Sequence, residues 1–446
     1  MADSDRVSHT RDFSPAFFTG IVGPRSGIVS DVVDIWRVRN IATATTSLEL
    51  DRARLEPCSG FCDRYSTARG VAVLEALERY SSGYERGSSS IVRGSLQSLG
   101  QIALDPGSFG LYREQEYQVN RSWLLQFHDR LEIDFVWGHS FLRREPVLVP
   151  RQLVYYMEKL EHEPTYVVDS SAGCALGGSP EEAMLHGLME LIERDSFLMA
   201  WYTQRKLAVI DLDSCGDPEV HIHRRRLNME GYEVTALCST TDFGIPATIV
   251  VARHRSRGKR PYAMCIGSAH YRPERALRKA LRELMPGLRR FEIELCDKDQ
   301  LRKAQMLVEN PQSVQTMEDH ALLYSMPESA SALDFLISGR ESKSILEMED
   351  SVREIWSADL TEELSAMIAR ILKTGHDVVA VNQSSMETQS AGLYCYKVLV
   401  PGAIPMTWGQ HLRRLHGLAR LEKALFESAA VPGVRREPNS EPHPFP

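Results

Sequence analysis

Residues 170–202, SSAGCALGGSPEEAMLHGLMELIERDSFLMAWY, combine a loop pattern with a long helical pattern. The opening residues of this stretch are mostly small and predict a loop, whereas the remainder predicts an amphipathic helix from about 180 to 200. Ser179 suits the N-cap and Pro180 the first helical position, which defines the start of the helix. The free N–H groups and the positive dipole end at that start favour phosphate. The sequence nevertheless matches neither the Walker A loop nor the G-x-G-x-x-G motif.

Two predicted helices carry carboxylates at the same spacing. LEALERYS (74–81) and MELIERDS (189–196) share the pattern Glu-x-x-Glu-Arg, and residues at i and i+3 lie on one side of a helix. The ordinary interpretation is a solvated charged face. Apolar neighbours around both copies favour instead a cleft in which a cation offsets the repulsion, and Mg²⁺ prefers such carboxylate oxygens. The candidate metal ligands from this repeat are Glu75, Glu78, Glu190 and Glu193.

Further charged positions extend this prediction. Glu182, Glu190 and Glu193 fall within about 80° around one helix axis, so Glu182 is a fifth candidate Mg²⁺ ligand. In ERALRKALRELMP (274–286), Lys279 and Glu283 are four residues apart. That spacing suits a phosphate contact beside a metal or ribose contact, but it is also the spacing of an ordinary helix salt bridge. The sequence contains no G-x-S-x-G, H-E-x-x-H or C-x-x-C motif.

The rest of the chain alternates helix and strand patterns, which predicts a mixed α/β or α+β fold. No low-complexity linker precedes residue 430, so we do not divide the chain into independent domains. Strands are expected within 17–50, within 131–155 and at 231–238, 245–253, 262–268, 378–382 and 394–402, and helices at 66–83, 180–200, 273–292, 360–374 and 409–428.

Composition excludes several classes of protein. The 446 residues carry a formal net charge of −8, which argues against a nucleic-acid backbone as the main partner. No uninterrupted apolar run reaches the roughly 20 residues that span a bilayer, and the polar N-terminus is unlike a secretory signal. The eight cysteines are scattered, and the single C-x3-C of Cys58 and Cys62 is a weak metal signal. We expect a cytoplasmic protein with free thiols and no membrane partner.

The last six residues, EPHPFP (441–446), alternate proline with other residues. Proline fixes φ at about −65° and lacks a backbone N–H, so this segment is pre-ordered as an extended or polyproline II rod. The ordinary interpretation is a solvated chain end. The alternative is a rigid segment that takes part in function, and the tail alone does not decide between them.

These stretches together resemble the YcaO superfamily, ATP-utilising enzymes that activate peptide-backbone amides. The likeness covers roughly 17–425 and implies a YcaO-type fold, with mixed sheets packed by helices and an ATP and Mg²⁺ cleft between the acidic helices. Beyond 170–202, similar blocks follow the family order: VLEALERYSSGY (73–84), VWGHSF (136–141), PVLVPRQLVY (146–155), GIPATIVVA (244–252), GSAHYRPERALRKALREL (267–284), DHALLY (319–324), VNQSS (381–385) and YKVLVPGAIPMTWGQHLRR (396–414).

The resemblance also implies roles for single residues. Five carboxylates would hold Mg²⁺, and a second set would form the ATP site. The implied metal ligands are Glu75, Glu78, Glu182, Glu190 and Glu193, and the implied ATP-site residues are Arg79, Ser171, Arg194, Lys279 and Glu283.

Within the superfamily, PHPFP is similar to the proline-rich end of azoline-forming cyclodehydratases, the D proteins of linear azol(in)e-containing peptide biosynthesis. Pro442, Pro444 and Pro446 are therefore candidate catalytic residues, and the final carboxylate is a candidate base. In that chemistry a Cys thiol, or a Ser or Thr hydroxyl, of a precursor peptide adds to the preceding carbonyl. ATP phosphorylates the resulting hemiorthoamidate, and elimination gives a thiazoline or oxazoline.

This sequence departs from the family pattern at several nucleotide contacts, although all the metal carboxylates are kept. Phe61 stands where a lysine is usual, and Arg64 and Arg69 are the candidate substitutes. Other departures are Ser171-Ala172-Gly173 for Ser-Asn-Gly, Gly177-Gly178-Ser179 for Gly-Asn-Thr, Lys279 for arginine and Pro286 for glutamine. The individual ATP contacts are therefore expected to differ from those of relatives.

Two other functions stay open. One is thioamide or amidine formation within the same superfamily, against which the tail argues. The other is a non-catalytic docking scaffold of a synthetase complex, with PHPFP as the ligand of an aromatic groove; retention of five mutually repelling acids argues against it.

The domain and partner expectations follow from where the family blocks fall. We expect a strand-rich extension at 1–60, the YcaO catalytic domain at 61–430, and a tail at 431–446 that reaches toward the active site. Because the blocks begin close to the N-terminus, a separate E1-like protein is expected to bind the leader of the precursor peptide. An FMN-dependent dehydrogenase and a homodimer within the synthetase complex are further expectations.

Overall fold

A computed structural model describes residues 20–25, 27–36, 41–51, 54–86, 90–157, 163–428 and 435–445, and the structural statements below concern these residues. Pro446 lies outside them. The strands are β1 (Val33–Ile35), β2 (Ala42–Asp51), β3 (Arg54–Cys62), β4 (Val92–Gly94), β5 (Ile133–Ser140), β6 (Glu145–Pro150), β7 (Cys174–Gly177), β8 (Ala208–Ile210), β9 (Tyr232–Cys238), β10 (Ala247–His254), β11 (Ala263–Ala269), β12 (Ser342–Lys343), β13 (Val379–Asn382) and β14 (Tyr394–Leu399).

Thirteen α-helices accompany these strands in the described part of the chain. They are α1 (Tyr65–Gly83), α2 (Leu96–Leu99), α3 (Glu114–Asn120), α4 (Pro180–Tyr202), α5 (Pro218–Met229), α6 (Pro273–Glu294), α7 (Lys298–Glu309), α8 (Met317–Tyr324), α9 (Asp334–Ile337), α10 (Ile345–Asp350), α11 (Leu360–Leu372), α12 (Met386–Ser390) and α13 (Ala419–Glu427). The mixed α/β prediction is therefore confirmed, and most long elements begin and end within a few residues of the expected bounds.

The described strands form three sheets. One has the order β1-β2-β3, the second β11-β10-β9-β8-β12, and the third β4-β5-β13-β14-β7 with β6 paired to β5. The pairings within them are antiparallel except that of β8 with β12. Strand β3 is continuous through residues 60 and 61, where the boundary between the N-terminal extension and the catalytic domain was expected. The expected domain boundaries stay a prediction.

Helix α4 lies between two of these sheets. It packs on β7 and β14 of the third sheet and on β10 and β11 of the second. Its first half supplies Leu188 and Ile192 to one buried cluster, whereas its second half supplies Phe197 and Trp201 to the largest one. Helix α1 covers the first sheet and reaches β7 and β14, while α6 packs on β10 and β11 and touches β3. The three helices that carry the predicted site residues therefore converge.

The expected basic helix at 409–428 forms only in its second half, and the prediction for its first half is wrong. Residues 410–412 form a short 3-10 turn, and α13 begins only at Ala419. Between them the backbone of His416 pairs with that of Leu111 through two hydrogen bonds of 2.9 and 3.0 Å. Gly417 follows with a φ of 83°, a conformation that glycine adopts readily. This long-range strand-like pairing overrides the local helical pattern.

Candidate functional site

The loop before α4 is held close to the helix by glycines. A β-carbon on Gly173, whose φ is 85°, would lie 2.3 Å from the carbonyl oxygen of Val398, and one on Gly187 would lie 2.5 Å from that of Gly173. Ser179 caps α4 by accepting the N–H of Glu182, as predicted. The loop is also closed by the carbonyl of Ser171, which accepts the N–H of Cys174 at 2.7 Å.

Glu75 is the carboxylate of α1 that is tied to the β3 backbone. It accepts the N–H of Ser59 at 2.7 Å and pairs with Arg79 at 2.6 Å. Arg79 also pairs with Glu56. Helix α1 therefore presents a carboxylate and a guanidinium that are fixed to the adjoining strand.

The carboxylates of α4 are paired with cations from α4 and α6. Arg194 contacts Glu190 at 3.3 Å and Glu193 at 3.8 Å. Lys279 lies 2.9 Å from Glu193, which is only 4% exposed, and 4.0 Å from Glu283. The second oxygen of Glu190 accepts the N–H of Gly173 at 3.3 Å. The loop before α4, α4 itself and α6 thus meet at these carboxylates. Glu75, Glu78, Glu190, Glu193 and Glu283, with their cationic partners, are called the acidic cluster below.

The pKa values show that negative charge is in excess at this meeting point. Burial, with the neighbouring charges of Glu190 and Glu75, raises the pKa of Glu78 well above its usual value. The pKa of Glu283 is also raised, by burial and by Glu193 and Glu190, although Lys279 opposes this. Burial would lower the pKa of Lys279, but Glu193 and Glu283 outweigh it, so this pKa is raised. The carboxylates therefore favour an additional cation.

The excess of negative charge raises the question of whether these residues suit Mg²⁺. Within the described residues, no group of three or more His, Cys, Asp or Glu side chains is arranged as a ready-made metal site. The acids are instead held apart by Arg79, Arg194 and Lys279. A partly buried carboxylate among like charges, as at Glu78, is nevertheless a group whose repulsion a divalent cation relieves. The carboxylate oxygens are therefore suitable ligands for Mg²⁺, which they would bind in exchange for Arg79, Arg194 and Lys279.

Glu182 is not brought to this cluster. Its carboxylate accepts the N–H of Gly178 at 2.6 Å, at the start of α4, and two turns of helix, about 12 Å, separate it from Glu190. The sequence argument considered only the angle around the axis. Arg64 and Arg69 also lie away from the cluster: Arg64 is exposed at the start of α1, and Arg69 pairs with Asp34 at 2.6 Å.

A cleft of about 470 Å³ adjoins the acidic cluster. Glu75, Lys279 and Glu283 belong to both, and three arginines of α6 that the sequence reasoning missed line the cleft. Their signal was present as basic residues at i, i+3 and i+7 of one predicted helix. The lining residues are Ser59, Phe61, Val71, Glu75, Ser268, Ala269, His270, Arg275, Arg278, Lys279, Arg282 and Glu283.

Arg194 also lines a smaller cavity of about 40 Å³. Buried Lys397 lines it and donates to the carbonyls of Ser170 and Ala172 at 2.9 Å. Buried Arg414 lines it too, and its Nη1 donates to Asp169 at 3.1 Å. The remaining wall is largely apolar and comes from residues 398–406.

The C-terminal segment 435–445 is packed into the protein. The Trp201 ring N–H donates to the carbonyl of Glu441 at 2.9 Å, and the Tyr324 hydroxyl donates to that of Pro442 at 2.6 Å. The rings of His320 and His443 stack with centroids 3.8 Å apart. Pro442 and Pro444 are buried, and Phe445 is part of the largest buried cluster. Within the described residues, the ordinary solvated tail is therefore excluded for this segment.

Phe445 joins this segment to the acidic helix. Its ring meets that of Phe197 edge-on, with centroids 4.7 Å apart, and lies 4.2 Å from the guanidinium carbon of Arg194. A β-carbon on Gly267 would come within 2.7 Å of the same ring. The two kinds of predicted site, metal and tail, thus meet through Arg194. The individual roles predicted for these residues stay predictions.

The described part of the chain has no helix long and apolar enough to cross a membrane. Among curated proteins, the chain is 25% identical to a protein of Methanothermobacter thermautotrophicus whose name assigns no function. That alignment spans 327 residues, 71% of this chain and 80% of the relative.

Three solved structures share the fold. A heterocyclase in complex with substrate and cofactor matches with a TM-score of 0.77 and 22% identity, over 96% of this chain and 56% of that one. YcaO from Methanopyrus kandleri, bound with AMPPCP and Mg²⁺, matches with a TM-score of 0.59 and 20% identity, over 84% and 86%. The E. coli microcin synthetase complex McbBCD, with pro-MccB17 bound, gives 0.55 and 13%, over 93% and 96%.

The chain spans about half the length of the first of these structures. A family description, YcaO cyclodehydratase, ATP- and Mg²⁺-binding, matches residues 59–404 and so covers the three converging helices and the cleft. The chain belongs to the YcaO family of ATP- and Mg²⁺-binding cyclodehydratases.

Proposed function

We propose that this chain is an ATP-dependent cyclodehydratase that converts Cys residues of a ribosomally made precursor peptide to thiazolines. Ser and Thr, which would give oxazolines, are further candidate substrates. The observation that carries the proposal is the position of Arg194, which pairs with Glu190 and Glu193 on one side and lies against Phe445 on the other. A side chain so placed couples the nucleotide-binding carboxylates to the C-terminal segment.

The carboxylates are proposed to hold Mg²⁺ with the nucleotide. Glu75 and Glu78 of α1 would face Glu190 and Glu193 of α4, and their mutual repulsion supports a cation between the two helices. Glu182 remains a candidate ligand, although its carboxylate would have to share the N–H of Gly178 or release it. Such an arrangement neutralises charge on a phosphate chain and positions it, which is most of what phosphoryl transfer requires.

The ATP site is proposed to include Arg79, Ser171, Arg194, Lys279 and Glu283. When bound, ATP with Mg²⁺ would supply the phosphoryl group that makes the hemiorthoamidate oxygen of the peptide a leaving group. The residues of this chain would orient the two substrates and exclude water. Glu193 and Lys279, joined at 2.9 Å, would exchange partners as the metal and the phosphates enter.

The C-terminal segment is proposed to serve the peptide rather than the nucleotide. Pro442, Pro444 and Pro446 would act in cyclisation by presenting a rigid wall that holds the peptide in place while the ring closes. Burial of Pro442, His443, Pro444 and Phe445 supports this role, because a fixed segment can hold a reacting peptide in one geometry.

Partner proteins are part of the proposal. A protein of similar fold occurs in a solved synthetase complex, which supports assembly of this chain with other subunits. We propose a separate E1-like protein that binds the leader of the precursor peptide, an FMN-dependent dehydrogenase where azoles are the final product, and a homodimer within the complex.

The test is mass spectrometry of small Cys-rich peptides encoded beside this chain's gene, after incubation with ATP, Mg²⁺ and the co-expressed partner proteins. The expected result is the loss of one water mass per ring, together with phosphate release. Glu190→Gln serves as the inactive control. Phosphate release without any loss of water mass would point to another amide chemistry, and the absence of both would support a scaffold.

A further inference from the structure

The cleft beside the acidic cluster has two chemically different walls. One wall comes from β3 and α1 and contains Ser59, Phe61, Val71 and Glu75. Among the described residues, this wall contributes no Lys or Arg to the lining of the cleft, and neither Arg64 nor Arg69 lines it. The other wall is α6, which contributes Arg275, Arg278, Lys279 and Arg282. The positive charge that lines the cleft therefore comes from one helix.

Two of these arginines form ion pairs with carboxylates of α5 and of its N-cap residue. Arg278 Nη1 lies 3.1 Å from Asp217, which also caps α5, and 3.7 Å from Glu219. Arg282 Nη2 lies 2.7 Å from Glu219. Carboxylates behind a guanidinium fix its plane, so the remaining N–H groups point in a set direction. Helix α5 thus pre-organises both side chains.

Arg282 has an unused donor. Its Nε is buried and has no hydrogen-bond partner among the described residues, which is an uncommon state for a buried polar group. Its Nη2 also reaches Asp63, at 3.6 Å, two residues beyond Phe61 and mostly exposed. This contact to an exposed carboxylate is longer than the 2.7 Å pairing of Arg282 with Glu219, so an incoming anion would displace Asp63 before Glu219.

We propose that Arg278 and Arg282 bind the phosphate chain of the nucleotide, supplying from α6 the positive charge that the wall around Phe61 lacks. The carboxylates Asp217 and Glu219 keep the two guanidinium groups in position, and Asp63 occupies Arg282 until the nucleotide enters. The proposal rests on the proposed function only in taking ATP as the nucleotide used. It adds two residues to the site and replaces Arg64 and Arg69 as the candidates for this charge.

Geometry favours phosphate over other anions in this cleft. Arginine pairs with phosphate through two N–H groups at once, and Arg278 and Arg282 are four residues apart, so both face the same stretch of ligand. The cleft continues at Glu75, Lys279 and Glu283 into the acidic cluster. An elongated ligand whose phosphate chain lies along Arg278 and Arg282 and ends beside the acidic cluster fits this continuity.

The experiment is isothermal titration of the full chain with ATP, ADP and adenosine in the presence of Mg²⁺. Arg282→Gln and Arg278→Gln remove the charge and keep most of the side-chain length. The matched control is Arg290→Gln, which lies on the same helix and is paired in the same way, with Glu294 at 2.7 Å, but does not line the cleft. Unfolding temperatures identify any variant that fails to fold, and Arg282→Lys then provides a charge-retaining second variant.

Each glutamine variant is expected to weaken ATP binding about tenfold or more, as loss of a charged hydrogen bond does, and adenosine binding should be unchanged. The loss should be partly restored in Arg282→Lys. Equal loss for ATP and adenosine, or no loss for ATP, overturns the proposal. If the variants lose ATP affinity as expected but the wild-type chain forms no ring in the peptide, the proposed function fails while this inference stands.

Discussion

The guanidinium carbon of Arg194 lies 4.2 Å from the centroid of the Phe445 ring. A cation over an aromatic face gains about 0.5–2 kcal/mol, the more so when it is desolvated. Here the same cation also pairs with Glu190 and Glu193. A change in the charge of these carboxylates therefore alters the contact between Arg194 and Phe445. This contact lets the metal site and the segment be tested separately.

Deletion of residues 442–446 should abolish ring formation and spare nucleotide binding. Of this segment, the structure describes residues 442–445, which contact the acidic cluster through Arg194 and are not among the lining residues of the 470 Å³ cleft. We expect peptide cyclisation to fall at least about 100-fold, as misplacement of a reacting group does, and ATP affinity to stay within about threefold. Mass spectrometry and calorimetry measure the two. Full cyclisation by the shortened chain would contradict the role of the prolines.

Gly267→Ala tests the packing of the Phe445 ring against β11 without altering the C-terminal segment itself. The new methyl group would lie 2.7 Å from Phe445 Cε2 and 3.3 Å from Phe197 Cδ2, so the Phe445 ring has to move. We expect cyclisation to fall in the full-length chain. In the chain shortened before residue 442, Gly267→Ala should change nothing further, because the two changes share one contact.

The control for this substitution is Gly258→Ala, whose β-carbon would meet only Ser256 Oγ, at 3.8 Å. It should leave cyclisation and stability close to those of the wild-type chain. If Gly267→Ala left cyclisation intact in the full-length chain, the contact between Phe445 and the second sheet would have no functional importance.

The sequence predicted the elements whose causes are local. Helix α4 begins where Ser179 and Pro180 indicated, and α1 and α6 lie where the apolar periodicity placed them. Capping and periodicity act over a few residues, so a single stretch of sequence is enough to show them.

What the sequence could not show depends on contacts between distant residues. His416 pairs with Leu111, so the first half of the helix expected at 409–428 does not form. Glu182 satisfied the angular argument, but its carboxylate accepts the N–H of Gly178 about two turns away from Glu190, a separation along the axis that the angle does not show. The basic wall of the cleft was visible as a pattern, yet its orientation is set by Asp217 and Glu219 of another helix. Burial of the tail likewise depends on Trp201 and Tyr324.

Acidic pH should release the C-terminal segment. Burial lowers the pKa of His320 to about 4 and, with the charge of His320, lowers that of His443 well below its usual value. Both folded-state pKa values are depressed, so the docked segment requires neutral rings, whereas the undocked histidines take up protons below about pH 6.5. Docking is therefore fully stable above that pH and weakens as pH falls, by roughly 2 kcal/mol per histidine near pH 5.

Hydrogen exchange of a peptide covering 435–445, measured at several pH values, follows this release. The N–H of Asn439, which donates to the carbonyl of Tyr202 at 2.9 Å, is one of the protected groups. His443→Gln removes one titrating ring and should make exchange less dependent on pH, with the rest of the chain as an internal reference. Protection that stayed constant from neutral pH to about pH 5 would exclude the histidine pair as the cause.

Glu78→Gln should stabilise the chain without metal and remove its response to Mg²⁺ and ATP. The folded-state pKa of Glu78 is raised by burial, Glu190 and Glu75. At neutral pH the ionised group is thus less favourable in the folded chain than in the unfolded one, a cost that disappears as pH falls. Gln, which has no charge, should raise the free energy of unfolding by roughly 1 kcal/mol. In the wild-type chain, Mg²⁺ with ATP should instead raise the unfolding temperature by binding the folded state.

The measurement is thermal unfolding at neutral pH, with and without Mg²⁺ and ATP. Glu163→Gln is the matched control, because burial also raises the pKa of Glu163, whereas its partners, the N–H of Asp134 and the side chain of Gln152, lie outside the acidic cluster. That variant should keep the full stabilisation by Mg²⁺ and ATP. A Glu78→Gln chain that is less stable than the wild type without metal would show that Glu78 supports the fold, and one that kept its response would show that it is not a ligand. Higher stability without metal, combined with loss of the response, is the result that a carboxylate kept for Mg²⁺ at the expense of stability should give.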